Sequence, residues 1–414
     1  MTTDNDRAVA DHYLAYPYPA RDPADEARRL IEGSPSRLVE ATHYLFGGEA
    51  PDPFRALVAG GGAGDGAIML AQHMADAGVV GEVVWLDMSP AARAVAEARA
   101  RVRGLTNIRF VEGSLLEARA CVGDGFDYID CCGVLHHLAE PEAGLAALRD
   151  VLSDGGGMGL MVYAALGRRG VYDMQAAAAA LAPQTMAPAS RLALGQKLFQ
   201  DLPESNWLKR NPFVRDHLDG GDAGFYDLLL HARDRAYSVE DFSRLIASAD
   251  MAVVTYIESA LYDPAVYLTD PALKQRQAAL PPLARAALAE RLSGAMTKHV
   301  VYAAPSKRAA EASARPDDPG LTPVIKDGAG PGLQEAARAG RIAIEHRGAK
   351  IVLALPRLAP AILRRVDGQA SLDAICKDIQ AADPGLEWPR FQDAFAATFT
   401  ALNSLNLMWL TRLK

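Results

Sequence analysis

Four cysteines in 414 residues leave little scope for covalent cross-links. Cys121, Cys131, Cys132 and Cys376 form no C-x-x-C pair, so the spacing predicts neither zinc nor any other metal. Buried thiols in a reducing compartment are the expectation, with adjacent Cys131 and Cys132 on opposite faces of a strand. Long apolar runs are missing too. Nothing approaches the roughly 20 residues that span a bilayer, and the opening MTTDNDRAVADHY has no run of signal-peptide length. A cytoplasmic protein with no membrane partner is expected. Positive charge is also short: the formal net charge is −8, which argues against a general nucleic-acid binder. No internal repeat is visible.

What is present is ample apolar material, 50% of the chain, enough for two domains at about 150 residues each. Charge is uneven, with a small cationic excess in residues 321–414 and the anionic excess before them. The stretch Arg55–Gly66 organises the chain. Ala56 to Ala59 reads as a buried strand, Gly60, Gly62 and Gly64 form G-x-G-x-G, and a helix follows over 67–77. Strand, glycine turn and helix open a doubly wound nucleotide-binding sheet; a plain βα connection is the competing reading. A second strand, Val83–Leu86, ends at Asp87, where such sheets hold ribose hydroxyls. The x-x-G spacing of a pyrophosphate cradle is absent, which disfavours NAD.

With these residues in view, the stretch 55–165 resembles class I S-adenosylmethionine-dependent methyltransferases, in particular a bacterial type 11/12-like subgroup. The resemblance rests on Val111–Ser114, on Phe126–Leu138 with its Gly133-Val134-Leu135-His136-His137, and on Leu152–Met158. It implies S-adenosylmethionine as cofactor, touched by Gly60, Gly61, Gly62, Gly64, Asp65, Asp87, Met88, Gly113, Ser114, Leu115, Cys132 and Gly133. One departure stands out: many members carry an acid two residues before the first glycine, and this chain has Val58.

The implied fold is α/β, a Rossmann-like, doubly wound seven-stranded sheet with helical caps. Strands are expected at 55–59, 82–86, 107–111, 126–131, 157–163, 253–257 and 299–303, the last two as an antiparallel edge pair. Residues 1–50 read as an N-terminal helical arm and 51–304 as the methyltransferase domain. Cap insertions are expected near 166–235 and 262–297, the first placed to cover the methyl site. Residues 305–323, rich in proline and charge, read as a flexible linker. Residues 324–414 read as a small α+β domain that resembles winged-helix or PqqD-like modules, for recognition or dimerisation.

Methyl transfer is an in-line displacement, so alignment and water exclusion matter most. His136 and His137 are the candidate catalytic pair, with a structural loop role as the alternative. Substrate contacts are expected from Tyr163, Arg168, Asp227, His231 and Arg235, and from Tyr13, Tyr16 and Tyr18 in an N-terminal flap or packed arm. The acceptor is read as an N or O atom of an enclosed small molecule. A protein Lys/Arg methyltransferase and a non-catalytic cofactor-binding protein remain open, as does a homodimer through the last domain.

Overall fold

The structure, a computed structural model, describes residues 21–413; Tyr13, Tyr16 and Tyr18 lie outside them. Its centre is a seven-stranded sheet of β1 (Phe54–Ala59), β2 (Gly81–Asp87), β3 (Ile108–Glu112), β4 (Phe126–Cys132), β5 (Leu152–Tyr163), β6 (Met251–Tyr256) and β7 (Lys298–Pro305). Their order is β3-β2-β1-β4-β5-β7-β6, as the resemblance implies. The first five strands are parallel, and β7 runs antiparallel between β5 and β6. The chain winds outward from β1 through β2 to β3, then crosses back to β4. That reversal leaves a crevice between β1 and β4 at their carboxyl ends.

Alternation of side chains builds a core on each face. Leu57 and Ala59 join one apolar cluster with Ile129 and Leu145. Ala56 and Val58 join the other with Leu38, Leu70 and Trp85. Ser89 caps the helix Pro90–Arg103, its Oγ accepting from Ala92 N, with proline at the first position. Among the described residues, no helix is long and apolar enough to cross a membrane.

The insertion after β5 folds into helices Val171–Leu181, Pro188–Asp201 and Gly221–Leu229, which bury Val171, Leu192 and Phe225 in a core of their own. The last body pairs β8 (Thr322–Ile325) with β11 (Met408–Thr411). It also carries a hairpin of β9 (Arg341–His346) and β10 (Ala349–Ala354), as the alternation predicts. Phe391, Phe395 and Phe399 recur every fourth residue along helix Trp388–Asn403, and all are buried.

The connection 305–323 differs from the free linker that its composition suggests. Ala312, Ala314 and Leu321 are buried. Gly47 N donates to Ala312 O at 2.8 Å, and Ala314 N donates to His43 O at 2.7 Å. Small alanines let this segment lie against helix Leu38–Leu45 while that helix's neighbours satisfy its backbone. The last body is anchored there too. Trp409 of β11 packs into the cluster under β1 and β2. The buried carboxylate of Glu40 accepts from Ser34 Oγ (2.9 Å), Asn406 Nδ2 (3.0 Å) and Tyr302 Oη (3.1 Å). Burial pushes Glu40 above the usual carboxylate range.

Trp409→Ala is therefore expected to cost about 3–5 kcal/mol, the scale of a buried aromatic truncation, and to lower one common unfolding transition. Calorimetry checks this: two resolved transitions in the wild-type chain, with first proteolytic cutting inside 305–323, would mean independent bodies.

Candidate active site

The turn from β1 into helix Asp65–Asp76 forms the floor of the crevice. Gly60, Gly62 and Gly64 have φ of 73°, 48° and 96°, a region that glycine enters without steric cost. A Cβ on Gly60 would strike Val134, and one on Gly61 would strike the Trp85 indole; one on Gly62 would meet nothing within 4 Å. The turn is thus packed from behind and open in front. Asp87, at the end of β2, holds it: Oδ2 accepts from Gly62 N at 2.8 Å and Oδ1 from Ser89 N at 2.9 Å. Each oxygen keeps a further lone pair for a ligand hydroxyl. Burial keeps Asp87 above the usual carboxylate range despite those amides.

Around the turn, the residues expected from the sequence take different parts. Met88 is 53% exposed beside Asp87, and Leu116 is 50% exposed at the end of β3. Two large apolar side chains left open at adjacent strand ends suit the faces of a flat ring. Leu115, the expected contact, is instead buried in the core, because it starts a 3₁₀ turn that points it inward and Leu116 outward. Ser114 caps that turn, its Oγ accepting from Leu116 N at 3.2 Å. At Gly113 a Cβ would stand 2.6 Å from Cys121 Sγ, so this glycine serves packing. Asp65 is engaged by Arg21 (2.6 Å) and Arg99 (2.6 Å). Burial pushes its carboxyl up, yet the two guanidiniums hold it below the usual range. Cys132 and Gly133 (φ 80°) close the carboxyl end of β4.

The acid missing at Val58 has a counterpart that the sequence reading passed over. Val58 on β1 lies in register with Asp130 on β4, so the neighbouring strand brings a carboxylate to the same level of the sheet. Asp130 is 1% exposed. It accepts a hydrogen bond from Ser36 Oγ, and its Oδ2 would stand 3.1 Å from a Cβ on Gly66, at the start of the helix after the glycine turn. Only strand register reveals this proximity. In the sequence, Asp130 is one acid among many.

A cavity of about 480 Å³ opens at the same edge, between β5, β7, the cap and the β9–β10 hairpin. Tyr163 and Arg168 line it, as expected. Arg215, Lys298 and Arg347 line it as well and were not anticipated, since they come from three distant segments. Arg347 sits at the hairpin tip, where Nη1 donates to Ala295 O (2.7 Å) and Thr297 Oγ1 (2.9 Å).

His136, His137 and His231 come together behind the Tyr163 wall. The Tyr163 ring lies 4.1 Å from that of His136, and His231 stacks on His137 at 4.0 Å. None of the three histidines lines the cavity. Burial first, and then the charges of His137 and Arg168, hold His136 well below its usual pKa. Asp227 is buried nearby; burial first, and then the Asp227 charge, raises the Tyr163 pKa. Arg235 turns outward, over the ring of Tyr237 at 4.9 Å. Although the spacing suggests no metal site, the fold gathers His136, His137 and Asp234 so that one ligand atom of each lies within 4.8 Å of the others.

Burial pushes Asp130 up to about 6 against the opposing Ser36 hydroxyl, a displacement of roughly 3 kcal/mol. In acid the residue is protonated in both folded and unfolded chains. As pH rises toward 6 the unfolded chain ionises first, so stability is lost through that window and stays lost above it. Asp130→Asn removes the penalty. Its Tm is expected to exceed wild type at pH 8 and to match it near pH 4; a pH-independent difference in scanning calorimetry would contradict this origin.

Comparison with known proteins agrees with this geometry. A sequence profile described as a methyltransferase domain matches residues 57–158. An uncharacterised protein of Synechococcus is 30% identical over 266 residues, 62% of this chain and 61% of its own length; the chain therefore matches less than two thirds of that relative. The solved structure of PKMT2 from Rickettsia typhi superposes with a TM-score of 0.61 at 13% identity, covering 92% of this chain and 75% of its own. The same protein in complex with AdoHcy gives 0.58 at 14% identity, covering 91% and 75%. At such identity these structures report fold alone. With the glycine turn, the strand-end acid and the sheet order, residues 57–158 belong to the methyltransferase-domain family of the class I, S-adenosylmethionine-dependent type.

Proposed function

We propose that this chain transfers the methyl group of S-adenosylmethionine to an N or O atom of an anionic small molecule. The cationic cavity at the same sheet edge as the glycine turn, over β5 and β7, carries the reading. Its lining holds Arg168, Arg215, Lys298 and Arg347 against Asp216 and Asp219. Arg215 is paired to Asp219 at 2.8 Å, and Arg168 to Asp234 at 3.1 Å. Lys298 and Arg347 make no ion pair among the described residues. A volume of about 480 Å³ is in the range of small-molecule sites, about 300–1,000 Å³. Guanidinium groups bind carboxylate or phosphate through charge-assisted hydrogen bonds.

The residues of the turn fit the cofactor. Asp87 would hold the ribose hydroxyls, Met88 and Leu116 the adenine faces, and Asp130 the cationic methionine end that Val58 does not serve. When bound, the cofactor supplies an electrophilic methyl group on a sulfonium. The chain's own contribution is alignment: Lys298 and Arg347 orient the acceptor's anionic group, Tyr163 forms the wall beside it, and the cap excludes water.

The second reading is transfer to a Lys or Arg side chain of a protein docked by the C-terminal body. The match of PKMT2 over 92% of the chain supports it, because that span takes in the C-terminal body. The charge of the cavity opposes it, since a cationic side chain would enter among arginines.

Asp87→Ala is expected to weaken S-adenosylhomocysteine binding by about 10- to 100-fold, the scale of roughly 1.5–3 kcal/mol for hydrogen bonds to a charged group. Titration calorimetry on the folded variant reads this, and unchanged affinity would remove the cofactor assignment. Lys298→Ala should raise KM for a carboxylate- or phosphate-bearing acceptor about 10-fold or more on the same scale, with kcat nearly kept. Turnover of a lysine-rich protein, unaffected by Lys298→Ala, would favour the second reading.

A further inference from the structure

Behind the Tyr163 wall, two side chains have polar atoms that are buried and unused. Both ring nitrogens of His136 lack a hydrogen-bond partner, as does Oδ1 of Asp234. His136 is fully buried, and the Asp234 side chain is 1% exposed. Leaving such groups unsatisfied costs about 1–3 kcal/mol each, more for a charge, and a native fold that keeps several together calls for a specific explanation.

Their neighbours hold them in a ligating state. His137 Nδ1 lies 2.8 Å from the carbonyl oxygen of Arg233. A carbonyl only accepts, so Nδ1 carries the proton and Nε2 presents its lone pair. An imidazole oriented through a backbone carbonyl in this way is the usual outer support of a metal-ligating histidine. His231 accepts from Arg233 N at 3.0 Å through Nδ1, and its ring, stacked on His137 at 17°, fixes the plane. Arg168 Nη2 (3.1 Å) and Gln175 Nε2 (3.2 Å) both hold Oδ2 of Asp234, which leaves Oδ1 oriented and free.

We propose that His136, His137 and Asp234 bind a divalent transition-metal ion of the zinc class. Two imidazoles and one carboxylate form a three-protein-ligand set that leaves a coordination position open. Arg168 is a nearby cation, but it engages the opposite oxygen, and the imidazoles bind through lone pairs rather than net charge. The ligands come from two places, the loop after β4 and the strap that follows helix Gly221–Leu229. A bound ion would clamp the cap to the loop beside the acceptor cavity. The proposal does not depend on the substrate class or on cofactor binding.

The test uses the full, tag-free chain stripped with EDTA. Calorimetric titration with ZnCl₂ should give one equivalent per chain, and zinc should raise Tm in a way that EDTA reverses. CoCl₂ should give the visible d–d bands of a low-coordinate nitrogen/oxygen site, a readout that needs no variant. His136→Ala and Asp234→Asn should each lower zinc affinity at least 10-fold while leaving S-adenosylhomocysteine affinity within twofold, and His346→Ala, in the hairpin, should leave the metal site intact. Absence of stoichiometric binding in the wild-type chain, or binding that survives both Asp234→Asn and His137→Gln, would overturn the proposal. So would a featureless cobalt spectrum, which would return the histidines to a role as proton acceptors.

Discussion

The backbone turn at Gly60–Gly64 is the constraint on which the site depends. It is held from below by Trp85, whose Nε1 donates to Gly62 O at 3.1 Å, and from the side by Asp87 through Gly62 N. Arg99, buried in helix Pro90–Arg103, donates to Ala63 O at 2.6 Å and also pairs with Glu26 and Asp65. A buried guanidinium needs every donor occupied, so one side chain ties together the turn, the arm and the neighbouring helix. Because these contacts are to backbone atoms, a side chain at Gly60 or Gly61 would displace the whole turn. The crevice would lose its floor.

Charge is sorted along the carboxyl edge of the sheet. Asp65, Asp87 and Asp130 cluster around the glycine turn, whereas Arg168, Lys298 and Arg347 lie over β5 and β7. Cys132 stands between the two groups. It is exposed at the end of β4, and the surrounding protein, followed by the Asp130 charge, pushes its thiol pKa up. The carboxylates thus lie on one side of this edge and the cationic side chains on the other.

The C-terminal body is built into this arrangement. Glu40 joins the arm, β7 and the residues before β11 in one buried network, while Arg347 reaches the cavity from the opposite end of that body. The body thus meets the sheet both beneath the core and at its functional edge. Its charge balance differs from that of the remainder, yet its apolar contacts make it continuous with the sheet's own core.

The sequence by itself determined most of the secondary structure and the glycine turn and strand-end acid of the candidate cofactor side. Local patterns decide these: alternation gives the strands, Ser89-Pro90 starts a helix, and G-x-G-x-G with an acid at the next strand end needs only neighbours along the chain. The small errors are local too. Leu115 and Leu116 differ by one residue in a turn without periodicity, and a proline-rich stretch resembles a linker until alanines find a surface to pack on. Tertiary structure alone decided the rest. Asp130 faces the level of Val58 through strand register; Arg215, Lys298 and Arg347 meet across three segments; Asp234 reaches two histidines almost a hundred positions earlier in the chain. Such juxtapositions arise from long-range packing, which imposes no spacing on the residues it brings together, so no short motif records them.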